Sequence, residues 1–296
     1  MKPPPFGYHD PATLEEALGL LARLDNAKLL AGGQSLMPML NFRLVAPDHI
    51  IDLNRVGGLA GIAFEGDRLT IGAMTRQREI ECDAEIARRL PLLNEALLNV
   101  GHRQTRNRGT LGGSLCHLDP AAELPCVAAA HDAVLTIAGR DSRRDVAFAD
   151  FPSTYMTPSI GEDEILERVK FPLWPAGHGS AFVEFARRHG DFAIVAVAAL
   201  LLVDAGMRIV RASLTLAGLG PAPLRMRAVE RHLVGRTVSF GLFREAAEMC
   251  RQTEANGDVH APADYRRHLA AVLSRRALEL AHHRARPVAE PSEAVA

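Results

Sequence analysis

No two of the four cysteines, Cys82, Cys116, Cys126 and Cys250, are spaced as Cys-x-x-Cys. That excludes the ligand spacing of a structural zinc or an iron–sulfur cluster within this chain. With no secretory context they are expected to be reduced thiols in a cytoplasmic protein. The start, Met1-Lys2-Pro3-Pro4-Pro5-Phe6, is proline-rich and lacks the apolar core of a signal peptide. The longest apolar run, Phe192 to Val203, falls far short of the roughly twenty residues that cross a bilayer, so no membrane span is expected. A formal net charge of −1 over 296 residues provides no global attraction to nucleic acid. No Gly-Lys-Ser/Thr of a Walker loop occurs, and no internal repeat is visible. What remains is an ordinary globular composition, 48% hydrophobic and 23% charged, in a chain long enough for two domains.

Against these absences stand two glycine pairs. Ala31-Gly32-Gly33-Gln34-Ser35 follows the apolar run Lys28-Leu29-Leu30, and Thr110-Leu111-Gly112-Gly113-Ser114 is followed by His117-Leu118-Asp119-Pro120-Ala121-Ala122-Glu123. Without a Cβ, glycine lets backbone N–H groups come close to an anion, and a neighbouring hydroxyl or helix N-terminus adds donors and dipole. Neither pair fits the G-x-G-x-x-G spacing of a Rossmann fingerprint. Two such loops in one chain predict a long ligand with a diphosphate in its middle.

The surrounding pattern is mixed. Thr13 and Glu16 form a capping-box signature ahead of Leu14, Leu18, Leu21 and Leu24 at helical spacing. Strands are expected at 28–31, 49–53, 61–64, 68–72, 133–138 and 164–171, a short helix at 36–43, and helical segments from 77 to 100 with Asp83 as N-cap and a restart at Pro91. The basic stretch 101–109 is expected to be a loop, there to meet a diphosphate or an electron-transfer partner, or simply solvated. Pro172 to Gly179 is the expected linker. Beyond it three antiparallel strands are expected (180–187, 192–203, 208–216), then three helices at 225–234, 240–252 and 264–284, and a tail at 285–296 without periodicity.

The glycine motifs, with Leu36-Met37-Pro38 after the first and Asp119 to Pro125 after the second, resemble the FAD-binding medium subunit of the molybdenum hydroxylases. That family includes aerobic carbon monoxide dehydrogenase, bacterial N-heterocycle dehydrogenases and the flavin domain of xanthine dehydrogenase. Residues 183–196, with Arg187-Arg188-His189-Gly190-Asp191-Phe192, resemble the family's strand facing the flavin, and 264–278 its C-terminal helix. The resemblance implies an α+β fold: a two-lobed FAD-binding domain of the PCMH type at 1–175 (lobes of about 1–55 and 56–175), then an α+β domain at 176–284 with a three-stranded antiparallel sheet and three helices.

It also implies a site. The loop Leu29, Leu30, Ala31, Gly32, Gly33, Gln34, Ser35 and Leu36, with Thr110, Gly112, Gly113 and Ser114, would hold the FAD diphosphate through backbone N–H groups and the Ser35, Thr110 and Ser114 hydroxyls. Glu123 would accept from a ribitol or ribose hydroxyl, with Asp119 beside it. Leu166 would lie near the ring system, and Asp191 and Phe192 would bring a shield over the isoalloxazine. Ser114 stands where many relatives have Asn, and Phe192 where many have Tyr. No catalytic residue and no metal site are implied in this chain. A small subunit with [2Fe-2S] clusters and a large molybdenum subunit carrying a molybdopterin-type cofactor are the implied partners, in a dimer of heterotrimers.

Duller readings accompany each residue. Asp119-Pro120 can be a turn starter, Glu123 a carboxylate favoured by a helix dipole, Cys116 a packing residue, and His282-His283 a solvated pair. A self-contained FAD oxidoreductase acting on a small organic substrate is the alternative function, and a scaffold without cofactor a third.

Overall fold

The computed structural model describes residues 2–288. By its internal contacts the chain forms two units. The first comprises the chain up to Asp83, Val100–Asp119 and Asp132–Pro172; the second comprises Ala84–Asn99, Pro120–His131 and the chain from Leu173 onward.

The first unit opens with a three-stranded parallel sheet in which His49–Asp52 lies between Gly7–His9 and Ala27–Leu30. The helix Leu14–Leu21 connects the two edge strands, and its start follows from the sequence. Thr13 Oγ1 accepts from the Glu16 N–H at 3.1 Å, and the Glu16 carboxylate accepts from the Ala12 N–H at 2.9 Å. Leu14, Ala17 and Leu18 bury their side chains with Ile51, Leu53 and Leu59. A five-stranded antiparallel sheet follows, ordered Ile62–Glu65, Arg68–Gly72, Ile165–Pro172, Val134–Ala138, Arg143–Ala147. Its central strand is thus the last to occur in the sequence. A bulge between Leu166 and Arg168 interrupts that strand's pairing with Val134–Ala138.

The second unit is built on a four-stranded antiparallel sheet, Gly179–Phe185, Val195–Val203, Ile209–Ala217 and Leu224–Arg225. Period-two alternation separates its two faces. Val195, Val197, Ala199 and Leu201 join Leu214 and Leu216 against the helices Phe240–Arg251 and Ala263–Arg284. The opposite face packs on the helices Pro91–Leu97 and Glu123–Ala130. There the Ser213 hydroxyl donates to the Ala130 carbonyl at 2.7 Å.

Several expectations are corrected. The C-terminal sheet has four strands, not three, because Pro223 is followed by a two-residue pairing of Leu224–Arg225 with Thr215–Leu216. Residues 183–196 are not one strand: the strand ends at Phe185, a loop turns through Gly190 at φ +87°, and pairing resumes at Val195. The basic stretch is not a loop, since Arg103–Arg108 is helical. The segment 77–100, by contrast, divides at the two expected positions, Asp83 and Pro91, into Gln77–Cys82, Ala84–Arg89 and Pro91–Leu97. The start of the expected tail is held: the Arg286 N–H donates to the Gly177 carbonyl (2.8 Å) and the Val288 N–H to the Val203 carbonyl (3.0 Å). Its remainder, 289–296, lies outside the described residues. The strands Gly7–His9, Arg143–Ala147, Pro152–Thr154 and Thr157–Pro158 were not anticipated from the sequence.

Candidate cofactor site

The parallel strand Ala27–Leu30 delivers the first glycine pair to its C-terminal end, where Leu29 and Leu30 are half-buried. Gly33 takes φ +74°, a left-handed backbone that suits glycine. At Gly32 a Cβ would fall 2.2 Å from the Arg108 carbonyl oxygen and 2.8 Å from Gly109 Cα. The two glycine motifs, far apart in sequence, therefore pack backbone to backbone. Gln34 Nε2 donates to the Gly32 carbonyl at 3.2 Å. Ser35 occupies the N-cap position of the short helix Leu36–Asn41, with no side-chain capping bond. Among the described residues, none accepts a hydrogen bond from the N–H groups of Gly33, Gln34, Ser35 or Leu36. Gly33 and Gln34 border a cleft of about 420 Å³ lined also by Leu30, Gly32, Met37, Pro38, Asn41 and Arg108.

The second pair behaves differently. Thr110 Oγ1 caps the helix Leu111–His117 by accepting from the Gly113 N–H at 3.0 Å. The Leu111 N–H donates to the Thr75 carbonyl (3.1 Å), that of Gly112 to the Ala73 carbonyl (2.8 Å) and that of Ser114 to the Thr110 carbonyl (3.2 Å). The amides of Leu111, Gly112, Gly113 and Ser114 are thus already engaged within the protein. Gly112 permits a close approach instead, since a Cβ there would lie 2.8 Å from the Ala73 carbonyl oxygen. The Ser114 hydroxyl makes no hydrogen bond among the described residues.

A polar chain that sequence reasoning missed joins the two loops. The Tyr8 hydroxyl donates to Asp52 Oδ2 at 2.7 Å, which raises the phenol pKa through this bond and then through burial. The other Asp52 oxygen accepts from the Asn54 backbone N–H at 2.8 Å and from its side-chain amide. Asn54 Nδ2 also donates to the Ala31 carbonyl at 3.0 Å, inside the first glycine motif. The Arg76 guanidinium donates to Asn54 Oδ1 and, at 2.6 Å, to the Arg108 carbonyl. Burial, then the nearby Arg108 charge, pulls the Arg76 pKa down. The only hint in the sequence was Asp52-Leu53-Asn54 directly after an apolar strand.

The remaining expected residues are placed as follows. Arg106, in the basic helix, is buried on Glu81 at 2.7 Å and is structural, whereas the exposed Arg108 lines the cleft. His117 has its pKa lowered by burial against the opposing pull of Asp119, and burial pushes the Cys116 thiol up to about 12. Leu166 is buried in the strand Ile165–Pro172, opposite Ile137. Glu123, Asp191 and Phe192 belong to the second unit. Glu123 is 5% exposed in the first turn of its helix. Asp191 donates its N–H to the Arg188 carbonyl at 3.1 Å, and Phe192, in the same loop, is 61% exposed. The structure therefore brings 29–36 and 110–114 together. Among the described residues no group of three His, Cys, Asp or Glu side chains could hold a metal, and no helix is long and apolar enough to cross a membrane.

The arrangement suits a diphosphate-bearing ligand: amides with no internal partner and an arginine at the rim. Comparisons with known proteins agree. The family described as "FAD binding domain in molybdopterin dehydrogenase" matches residues 4–174, and "CO dehydrogenase flavoprotein C-terminal domain" matches 180–281. The chain is 40% identical to subunit alpha of the 6-hydroxypseudooxynicotine dehydrogenase complex of Paenarthrobacter nicotinovorans, over 98% of this chain and 99% of that one. It is 36% identical to the carbon monoxide dehydrogenase medium chain of Hydrogenophaga pseudoflava, over 95% and 98%. A solved carbon monoxide dehydrogenase from the same organism, lacking the Mo-pyranopterin moiety of its molybdenum cofactor, superposes with a TM-score of 0.94 at 35% identity, covering 97% of this chain and all of that one.

Proposed function

Because the chain belongs to the FAD-binding medium subunits of the molybdenum hydroxylase family, we propose that it is the electron-transfer subunit of such a complex. It takes electrons from [2Fe-2S] clusters of a small partner subunit and passes them to an external acceptor, while a large molybdenum subunit oxidises the substrate. The assembly is a dimer of heterotrimers, in the cytoplasm. Within this chain 1–175 is the PCMH-type FAD-binding domain and 176–284 the α+β C-terminal domain.

The observation that carries the reading is the run of amides Gly33 to Leu36, unpartnered among the described residues, of which Gly33 and Gln34 line the cleft. These amides would hold the diphosphate, with the Ser35 and Ser114 hydroxyls as further donors and the Arg108 guanidinium as countercharge. Thr110 contributes by capping the helix that Ser114 stands on. Glu123 would accept from a ribose or ribitol hydroxyl, and Leu166, Asp191 and Phe192 would line the ring's surroundings. Bound FAD supplies one- and two-electron redox chemistry that no side chain here can supply. The protein's own work is to grip and orient, so no nucleophile–base pair is required.

The test is to purify the full chain alone. Stoichiometric FAD is expected to accompany it, with no bleaching of its absorbance by N-heterocycles, aldehydes or carbon monoxide until the partner chains are added. Bleaching by such a substrate without partners would replace this reading with a self-contained oxidoreductase. Gly33→Val is expected to abolish FAD retention, because a branched side chain is strained at φ +74°. Full retention by that variant would remove the first loop from the site.

A further inference from the structure

Arg76 and Asn54 lie outside both glycine motifs, yet between them they hold a backbone carbonyl of the first and the carbonyl of Arg108, two residues ahead of the second. Asn54 takes the Ala31 carbonyl at 3.0 Å, Arg76 takes the Arg108 carbonyl at 2.6 Å, and the two side chains bond to one another. The Arg108 carbonyl is the same atom that a Cβ on Gly32 would strike. The clamp therefore closes on the seam where the two loops meet. Behind it, Asp52 fixes Asn54 through its backbone and side-chain N–H groups and is itself fixed by Tyr8.

The clamp is also electrostatically unusual. Neither Arg76 nor Arg108 forms an ion pair with a carboxylate among the described residues. The acceptors of Arg76 are a neutral carbonyl and a neutral amide; the Arg108 charge repels it, and Glu79 and Asp52 act on it through space in the opposite sense. One guanidinium bound by neutral acceptors and a second exposed at the cleft, beside unpartnered amides, make a region that a dianion would relieve.

We propose that Arg76 and Asn54 are positioning residues for the FAD diphosphate: they set the spacing of the two glycine loops, so that the Gly33–Leu36 amides converge only while both carbonyls are held. This rests on the FAD reading above. A planar guanidinium can grip both acceptors at once, as an ammonium in the same place cannot. Arg76→Lys therefore keeps the charge and loses the brace. Asn54→Ala releases the Ala31 carbonyl and one acceptor of Arg76.

The test is FAD titration of the full chain after FAD removal, read by quenching of flavin fluorescence, together with the thermal midpoint of each FAD-free variant. Loss of one charge-assisted hydrogen bond corresponds to about tenfold in affinity. Arg76→Lys and Asn54→Ala are each expected to weaken FAD binding by about that factor, and the double variant by little more than the worse single one. Midpoints of the FAD-free variants are expected to stay close to wild type. Wild-type affinity in Arg76→Lys, losses that multiply in the double variant, or losses that only track the midpoint would each overturn the proposal. Failure of the wild-type chain to bind FAD at all would instead strike the functional reading itself.

Discussion

At the scale of single residues, the candidate site was partly legible because glycine leaves a mark that other residues do not. Gly32 and Gly33 were singled out for close approach to an anion; one meets the Arg108 carbonyl and the other takes a left-handed backbone beside the cleft. Gly112 and Gly113 leave the same mark for another reason, internal packing and capping, and the sequence does not separate the two uses. Asn54 and Arg76 were invisible because their partners are backbone carbonyls, which every residue carries. Glu184 escaped for a similar reason. It sits in the strand Gly179–Phe185 as a carboxylate among apolar neighbours, its Oε2 buried with no partner among the described residues, and burial raises its pKa to about 7. A carboxyl that is protonated in the fold and ionised when unfolded costs stability as pH climbs from the ordinary carboxylate range through about 7. Glu184→Gln should therefore stabilise the protein at pH 8.5 by on the order of 1 kcal/mol, reduced from the full value because water still reaches the group. The gain should fade toward pH 5. Urea unfolding at the two pH values measures it, and an equal gain at both would reject the account.

At the scale of elements, strands flanked by clear turn residues were readable and polar or very short ones were not. The hairpin around Glu65-Gly66-Asp67 came out as expected, since Gly66 supplies the left-handed turn between two alternating segments. Arg143–Ala147 was missed because an edge strand facing water on most of its length carries little apolar pattern. The helix Arg103–Arg108 was missed because tertiary pairing, not amphipathic periodicity, holds it. Arg106 and Glu81 have side chains only 9% and 8% exposed, joined at 2.7 Å, and Arg106 also donates to the Val100 carbonyl. The bond to Arg106 is the largest influence holding the Glu81 pKa down. Removing the cation leaves the buried carboxylate still paired with Arg78 (2.5 Å), so Arg106→Ala should cost roughly 1–3 kcal/mol. Arg108→Ala, two residues on and exposed, should change stability by less than about 0.5 kcal/mol. Denaturant midpoints of the two variants decide this, and similar losses in both would show that the buried pair is not what anchors the helix.

At the scale of the whole molecule, the family was legible from end to end, while the packing of early helices with the later sheet was not. Linear reading places one boundary near Pro175, yet the helices Pro91–Leu97 and Glu123–Ala130 pack on the sheet formed by residues after 178. The cause is chemical: Leu92, Leu93, Ala96 and Leu97, like Leu124, Val127 and Ala128, are buried faces that need a partner from the later sequence. A chain ending at Pro175 should therefore expose both faces and aggregate; a soluble monomer with no dye-binding apolar surface, seen by size-exclusion chromatography and dye fluorescence, would refute this. The same threading bears on how the protein comes into being. As the chain leaves the ribosome, the hairpin 62–72 and the pair 134–147 must wait for Ile165–Pro172 to enter between them, and the early helices wait longer still for Gly179 to Val203. Contacts of such long separation close slowly. The nascent chain consequently spends most of its synthesis with finished local pieces and unfinished cores, a natural client for chaperones until the strands up to Val203 have emerged.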